Sequence, residues 1–199
     1  MCKLKSAIIL KDSIFMPDYD SHTDMLQELG IEDNRKNSEK LFVRAELYPK
    51  DDDVFSSIDT WIFKVDQDIL PNWFVQGYEE TRMRDAVKEW AKNHIHIGVD
   101  VLKIDSGSNH YIKDCKDVIV CGNGTVNKVC GNGTVKYVYE NGTVISSPYT
   151  KWNNANSLII CDNATFKDNC TKTIYQAGDW KLVSVENGKT VGEVKDDEN

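Results

Sequence analysis

The chain has 199 residues, of which 40% are hydrophobic and 10% aromatic, so it can form a folded core. Its 24 basic and 32 acidic side chains give a formal net charge of −8. Because nucleic-acid and membrane surfaces are anionic, this charge argues against direct binding to either. The sequence also lacks the run of about 18 apolar residues that a membrane-spanning helix needs.

The N-terminal segment and the cysteines indicate the compartment. Only the four residues from Ala7 to Leu10 are continuously apolar before Lys11, which is too short for a secretory signal. This predicts a cytoplasmic protein whose cysteines are free thiols. The six cysteines, at positions 2, 115, 121, 130, 161 and 170, do not have the paired spacing of a zinc site. We therefore expect no metal there and no cofactor.

The first half of the chain alternates strand and helix signals. Ser21 and Asp24 form a capping box, which predicts a helix that ends at Gly30. Apolar residues at helical spacing predict a longer helix over 79–93, and alternating residues predict strands. Together these elements predict an α+β domain over residues 1–110. The predicted strands lie within 4–15 (two short strands), 41–47 and 61–65.

Acidic residues are concentrated in the same half. Residues 1–110 contain 14 basic and 21 acidic side chains, which is −7 of the total of −8. Exposed carboxylates can imitate the phosphates that face basic grooves of nucleic-acid-binding proteins. We therefore predict an acidic binding surface, and the alternative is that the acidity only aids solubility. The residues of this predicted surface are Asp51, Asp52, Asp53, Glu79 and Glu80.

A second set of acidic residues suggests chemistry. Asp18, Asp20 and His22 occupy alternate positions, which share one face if the segment is extended. Together with Asp66 and Asp68 they predict a divalent-metal or acid–base site. The alternative is structural, with Asp20 or Ser21 capping the next helix and Asp18 closing a turn after Pro17.

The second half contains an internal repeat. The segment 120–126 returns at 129–135 and at 138–144, nine residues apart each time, with the common pattern Asn-Gly-Thr-Val. A degenerate copy follows at 160–166. Such short units with turn residues are typical of repeated β structure.

Two β structures fit a nine-residue repeat. In a meander, each Asn-Gly would be a two-residue turn between antiparallel strands, but Ala164 fits poorly at the second turn position of the fourth copy. In a β-solenoid, equivalent residues would stack in columns, and we favour this arrangement. The predicted columns contain Val120, Val129 and Val138 in the interior and Asn123, Asn132, Asn141 and Asn163 at the corners.

The fold class predicted for the chain is an α+β N-terminal domain followed by a short β-solenoid of nine-residue repeats with a C-terminal capping hairpin. The solenoid and its cap would occupy residues 111–194. The hairpin would turn at Asn187-Gly188 and cover the open strand edges. Residues 195–199 would form a disordered tail.

Three segments of the chain resemble a known family. These segments are 17–22 (PDYDSH), 65–74 (VDQDILPNWF) and 87–91 (VKEWA). They are similar to an uncharacterised family of bacteriophage and gut-bacterial proteins, in which an N-terminal α+β domain precedes Asn-(Gly/Ala/Ser)-Thr repeats. The resemblance implies this architecture and a phage or mobile-element origin within a bacterial host cell. It implies no activity.

Three functions remain open at this point. The first is a non-enzymatic phage or mobile-element binding protein, an acidic inhibitor of a host nucleic-acid-binding defence factor of the anti-CRISPR or anti-restriction type. The second is a structural or assembly protein that forms homo-oligomers through solenoid edges. The third is a metal-dependent enzyme centred on Asp18, Asp20 and His22. We favour the first, because no nucleophile, base and orienting group occur together in the sequence.

Overall fold

The computed structural model describes residues 4–130, 135–145, 158–160, 165–168, 173–176, 181–186 and 189–195. The chain divides into two compact units, Met1–Lys92 and Asn93–Asn199, called here the first and second units. The composition-based boundary at residue 110 assigned segment 93–110 to the first domain, whereas this segment lies in the second unit.

The first unit is built on a four-stranded antiparallel sheet in the order β2-β1-β3-β4. Both faces of its two central strands are buried, since almost every residue of β1 and β3 is removed from solvent. On one face, Ile8 and Phe42 pack with Met25 and Leu26 in a fully buried cluster. The strands are β1 (Lys5–Leu10), β2 (Ile14–Phe15), β3 (Phe42–Tyr48) and β4 (Ile62–Val65).

Three α-helices are described in the chain: α1 (His22–Glu28), α2 (Arg35–Ser38) and α3 (Gln76–His94). The predicted cap of α1 is confirmed, because the Ser21 side chain accepts a hydrogen bond from the Asp24 amide at 3.3 Å. The predicted long helix is also confirmed, as α3, and it buries Met83, Val87 and Trp90 at helical spacing.

The second unit contains two six-stranded sheets, in the orders β16-β15-β12-β10-β8-β6 and β14-β13-β11-β9-β7-β5. Consecutive strands from β5 to β13 alternate between the two sheets. The strands are β5 (Ile95–Ile97), β6 (Leu102–Ile104), β7 (His110–Lys113), β8 (Val118–Val120), β9 (Thr125–Cys130), β10 (Val135–Val138), β11 (Thr143–Ile145), β12 (Leu158–Ile160), β13 (Thr165–Asp168), β14 (Thr173–Gln176), β15 (Lys181–Glu186) and β16 (Lys189–Lys195).

The predicted fold class is wrong. The chain is a mixed α/β protein with several sheets, and no sheet closes on itself among the described residues. Both large sheets combine parallel pairs, such as β8 with β10, and antiparallel pairs, such as β12 with β15 and β13 with β14. Each nine-residue repeat supplies one strand and the turn, or corner, beside it. Consecutive repeats therefore lie in different sheets, and the strand of one repeat pairs with that of the second repeat along the chain.

The valines of the repeat show this alternation directly. Val120 pairs with Val138, eighteen positions later, while Val129 lies in the other sheet opposite Ile112. All three valines are fully buried in one core between the strands, but they do not form a single column.

The corners follow the same eighteen-residue spacing. Asn141 Nδ2 donates to the side-chain oxygen Oδ1 of Asn123 at 3.3 Å, so these two asparagines stack. The backbone amide of Asn123 also donates to the backbone oxygen of Asp105 at 3.1 Å. The backbone amide of Asn141 donates in the same way to the backbone oxygen of Gly122 at 3.0 Å. Asn132 and Asn163 of the predicted ladder lie outside the described residues.

The C-terminal strands β15 and β16 pair antiparallel, and β15 joins β12, so the pair widens one sheet. The expected hairpin turn at 187–188 and most of the expected tail lie outside the described residues.

Among the described helices, none has the length and apolar character needed to cross a bilayer. Cys115, Cys121 and Cys130 form no disulfide bond, and the other three cysteines lie outside the described residues.

Candidate functional site

The predicted acidic loop lies on the surface of the first unit, directly after β3. Asp51, Asp52 and Asp53 are all exposed. Asp51 and Asp52 adopt left-handed backbone conformations, with φ of 58° and 57°, which aspartate tolerates better than most residues. The Asp53 carboxylate accepts from the Phe55 amide at 3.2 Å, and its backbone oxygen accepts from Ser56 Oγ at 2.7 Å. The loop therefore presents three consecutive carboxylates on a hydrogen-bonded turn.

Glu79 and Glu80 do not extend this acidic surface. Glu79 is only 2% exposed, and Arg82 Nη1 donates to its carboxylate at 2.6 Å. Glu80 accepts from Arg84 Nη2 at 2.5 Å. Each arginine also donates to backbone oxygens beyond its own helix: Arg82 to Leu10 and Lys11, and Arg84 to Ile58 and Trp61. These glutamates therefore position the arginines that attach α3 to the rest of the first unit.

The predicted cluster around His22 is partly assembled. His22 is buried, with Nε2 at 3.2 Å from the Ala45 carbonyl oxygen and Nδ1 at 3.7 Å from Asp66 Oδ2. Asp20 faces the sheet, where its carboxylate accepts from the Ser6 amide at 3.3 Å. Asp18 and Asp68 are exposed. The alternate positions do not share a face because segment 16–21 is not a strand.

A buried lysine that the sequence analysis missed joins this network. Lys5 is 1% exposed, and its Nζ donates to the Pro17 carbonyl oxygen at 2.5 Å and lies 5.1 Å from the centre of the Trp90 ring. Burial lowers the pKa of Lys5 and raises that of Asp20, and each opposes the shift of the other through their opposite charges. Its sequence signal is its place at the start of a strand whose last four residues are apolar.

This network supports stability better than catalysis. Among the described residues, no three histidine, cysteine or carboxylate side chains are grouped so that they could hold a metal ion. The His22 Nε2 is directed at a backbone oxygen, and Asp66 is bridged to Lys64 at 3.0 Å, which lowers the pKa of Asp66. The ionisable groups of this network are thus paired within the fold, while Ser6 Oγ is buried with no hydrogen-bond partner.

An open depression lies beside α1. It has a volume of about 550 Å³ and is lined by Tyr19, Asp24, Gln27 and Glu28. The Tyr19 hydroxyl donates to Glu28 Oε2 at 2.5 Å, which raises the pKa of Tyr19 to about 12. Two carboxylates and an amide beside an aromatic ring are suited to a cationic side chain, such as an arginine of another protein.

Comparison of the chain with protein families, with curated proteins and with solved structures finds no match. The function is therefore inferred from the chemistry of the described surface. The features that this surface offers are the exposed loop of three aspartates and the acidic depression beside α1.

Proposed function

We propose that this chain is a non-enzymatic binding protein that inhibits a host nucleic-acid-binding defence factor by occupying its basic groove. A phage or mobile-element origin, of the anti-CRISPR or anti-restriction type, is part of the proposal. The observation that carries it is the Asp51–Asp53 loop, in which three adjacent carboxylates are exposed. Adjacent charges repel one another, so the mutual repulsion of these three carboxylates opposes folding.

The charge distribution supports this proposal. The first unit has 13 basic and 19 acidic side chains, while residues 93–199 have 11 and 13. Several bases of the first unit are already paired internally, including Arg82 and Arg84 with their glutamates. The exposed carboxylates therefore give a negative field that attracts a basic partner during diffusional encounter.

The metal-dependent alternative has less support. It requires Asp18, Asp20 and His22 to converge, but Asp20 and His22 bond to backbone groups of the sheet while Asp18 remains exposed. The carboxylates of the loop and of the depression, in contrast, face solvent. Binding thus uses exposed carboxylates that a partner can reach, while catalysis would need His22, which is buried.

The proposal predicts electrostatic association. After a partner is isolated by pull-down from a bacterial lysate and identified by mass spectrometry, its association rate is measured at two salt concentrations. Exposed charges are screened over about 8 Å at physiological ionic strength, so the rate should fall at least about tenfold from low to physiological salt. Replacement of Asp51, Asp52 and Asp53 by asparagine should lower the association rate at low salt several-fold, and it should change the dissociation rate much less.

A matched variant separates the loop from general charge. Asp12, Asp68 and Asp85 are exposed in the same unit, and their replacement by asparagine changes the net charge equally. Asparagine keeps the carbonyl oxygen that bonds Phe55 and tolerates the left-handed conformation, so the loop should keep its shape. An association rate that is independent of salt, or equal in the two triple variants, would refute binding through this loop.

A further inference from the structure

Three histidines come together in the second unit. His94 ends α3, His96 is the middle residue of β5, and His110 begins β7. The His94 and His110 rings are stacked with their centres 5.1 Å apart and their planes at 20°. The His96 and His110 rings are stacked at 5.6 Å and 16°. Rings that are nearly parallel do not direct their nitrogens at one point, and they form no metal-binding group.

Hydrogen bonds constrain where the protons lie in this stack. His110 Nε2 lies 3.0 Å from the Ser106 carbonyl oxygen, which can only accept, so Nε2 carries the proton. His110 Nδ1 is then the acceptor for the Nε2 proton of His96, at 3.3 Å. A further proton on His110 Nδ1 would place two donors against each other and break this contact.

The charged groups that act on His96 are the other two imidazoles. Burial lowers the pKa of His96, His110 and His94 lower it further, and a hydrogen bond to the Asn93 backbone opposes the shift without reversing it. Asp100 and Asp105 in the neighbouring turns are bonded to Lys116 at 2.8 Å and to Lys103 at 3.3 Å. The other titratable groups on elements next to the stack are Lys92, Tyr111, Lys113, Asp114, Cys115, Asp117 and Lys128, and the Cys115 thiol donates to the His96 backbone oxygen at 3.3 Å.

We propose that the His94–His96–His110 stack is an acid-sensitive latch that holds β5 on β7 at neutral pH and releases it when the stack gains protons. β5 is an edge strand of three residues, paired with β7 through Ile95 to Tyr111, His96 to Ile112 and Ile97 to Lys113. So short a pairing is easily opened when His96, which is half-buried, gains a charge that solvent stabilises better than the folded strand does. Release exposes the edge of β7, which can then pair with another strand.

The direction of the pH effect follows from the lowered pKa. The unfolded chain binds a proton at His96 near pH 6.5, while the folded chain binds it only at lower pH. The unfolded state therefore holds more protons in the interval below 6.5, so the stabilisation by neutral His96 is complete above that pH and is lost as the pH falls. Release of β5 is expected in this interval.

The test uses the full chain and two observables. Histidine-selective NMR titration should place the His96 pKa below 6.5. Hydrogen-exchange protection factors, which correct for the intrinsic pH dependence of exchange, should fall at least about tenfold for β5 and β7 between pH 7.5 and pH 5.5. The amides of β1 and β3 in the first unit should keep their protection.

Two variants make the result specific. His96→Gln keeps a side-chain donor for His110 but cannot gain a proton. In this variant the hydrogen-exchange protection factors of the β7 amides should change less than about threefold between the two pH values. His22→Gln, in the first unit, should keep the acid response of the wild type. A His96 pKa at or above 6.5 in the wild type would overturn the latch, as would an acid response that persists in His96→Gln.

Discussion

Replacing Val129 with aspartate is expected to destabilise the second unit by more than about 3 kcal/mol, because the new carboxylate would be buried without a partner. Val129 is fully buried and packs in the core that also contains Val120 and Val138. Its backbone already pairs with Ile112, so the side chain cannot turn outward without breaking β7 from β9. The free energy of unfolding from urea denaturation measures the effect.

Tyr137→Asp is the control for this substitution. Tyr137 lies in β10 of the same unit but is 43% exposed, so its replacement tests the cost of aspartate in a strand without burial. That cost should stay within about 1 kcal/mol. Equal free energies of unfolding for Val129→Asp and the wild type would contradict the packing of the second unit described above.

Gly122→Ala should destabilise the same unit by about 2–4 kcal/mol. Gly122 has φ +55°, and a Cβ there would lie 2.2 Å from the Asp105 backbone oxygen, a distance at which the chain must move. That contact joins two stacked corners, because Gly122 and Asp105 are seventeen positions apart in the sequence. The substitution should therefore separate the corners and break the hydrogen bond from the Asn123 amide to Asp105.

Gly98→Ala provides the matched comparison, measured by thermal and urea unfolding. Gly98 has φ +67° in the same unit, but a Cβ there meets nothing within 4 Å. Its replacement should cost only the left-handed strain of about 1–2 kcal/mol. If the two alanine variants were equally stable, the close approach of the corners at Gly122 would be disproved.

The local elements of the first unit could be predicted because their signals are short-range. Ser21 caps α1 through a bond to a residue three positions away, and the apolar spacing of Met83, Val87 and Trp90 is a property of one helix. The repeat unit was equally visible, but its stacking was not. Whether equivalent residues meet after nine or eighteen positions depends on which sheet each strand joins, and neighbouring copies are too similar to show this.

The candidate site shows the same limit. The exposure of Asp51–Asp53 could be predicted, because three adjacent charges are rarely buried. The burial of Glu79 could not, because it depends on its ion pair with Arg82 and on the hydrogen bond from Arg82 to the backbone oxygen of Leu10. Helical spacing could have suggested the ion pair, although not its burial. The contacts of Lys5 with Pro17 and Trp90 join residues far apart in the sequence, so no local pattern could reveal them.

Competition with nucleic acid tests the proposed function most directly. A partner identified by pull-down is loaded with a fluorescent oligonucleotide, and this protein is added until binding saturates. If the acidic surface occupies the basic groove, the oligonucleotide should be displaced completely, and the asparagine variant at 51, 52 and 53 should need a higher concentration to displace it. A ternary complex that holds the partner, the oligonucleotide and this protein together would contradict the proposal.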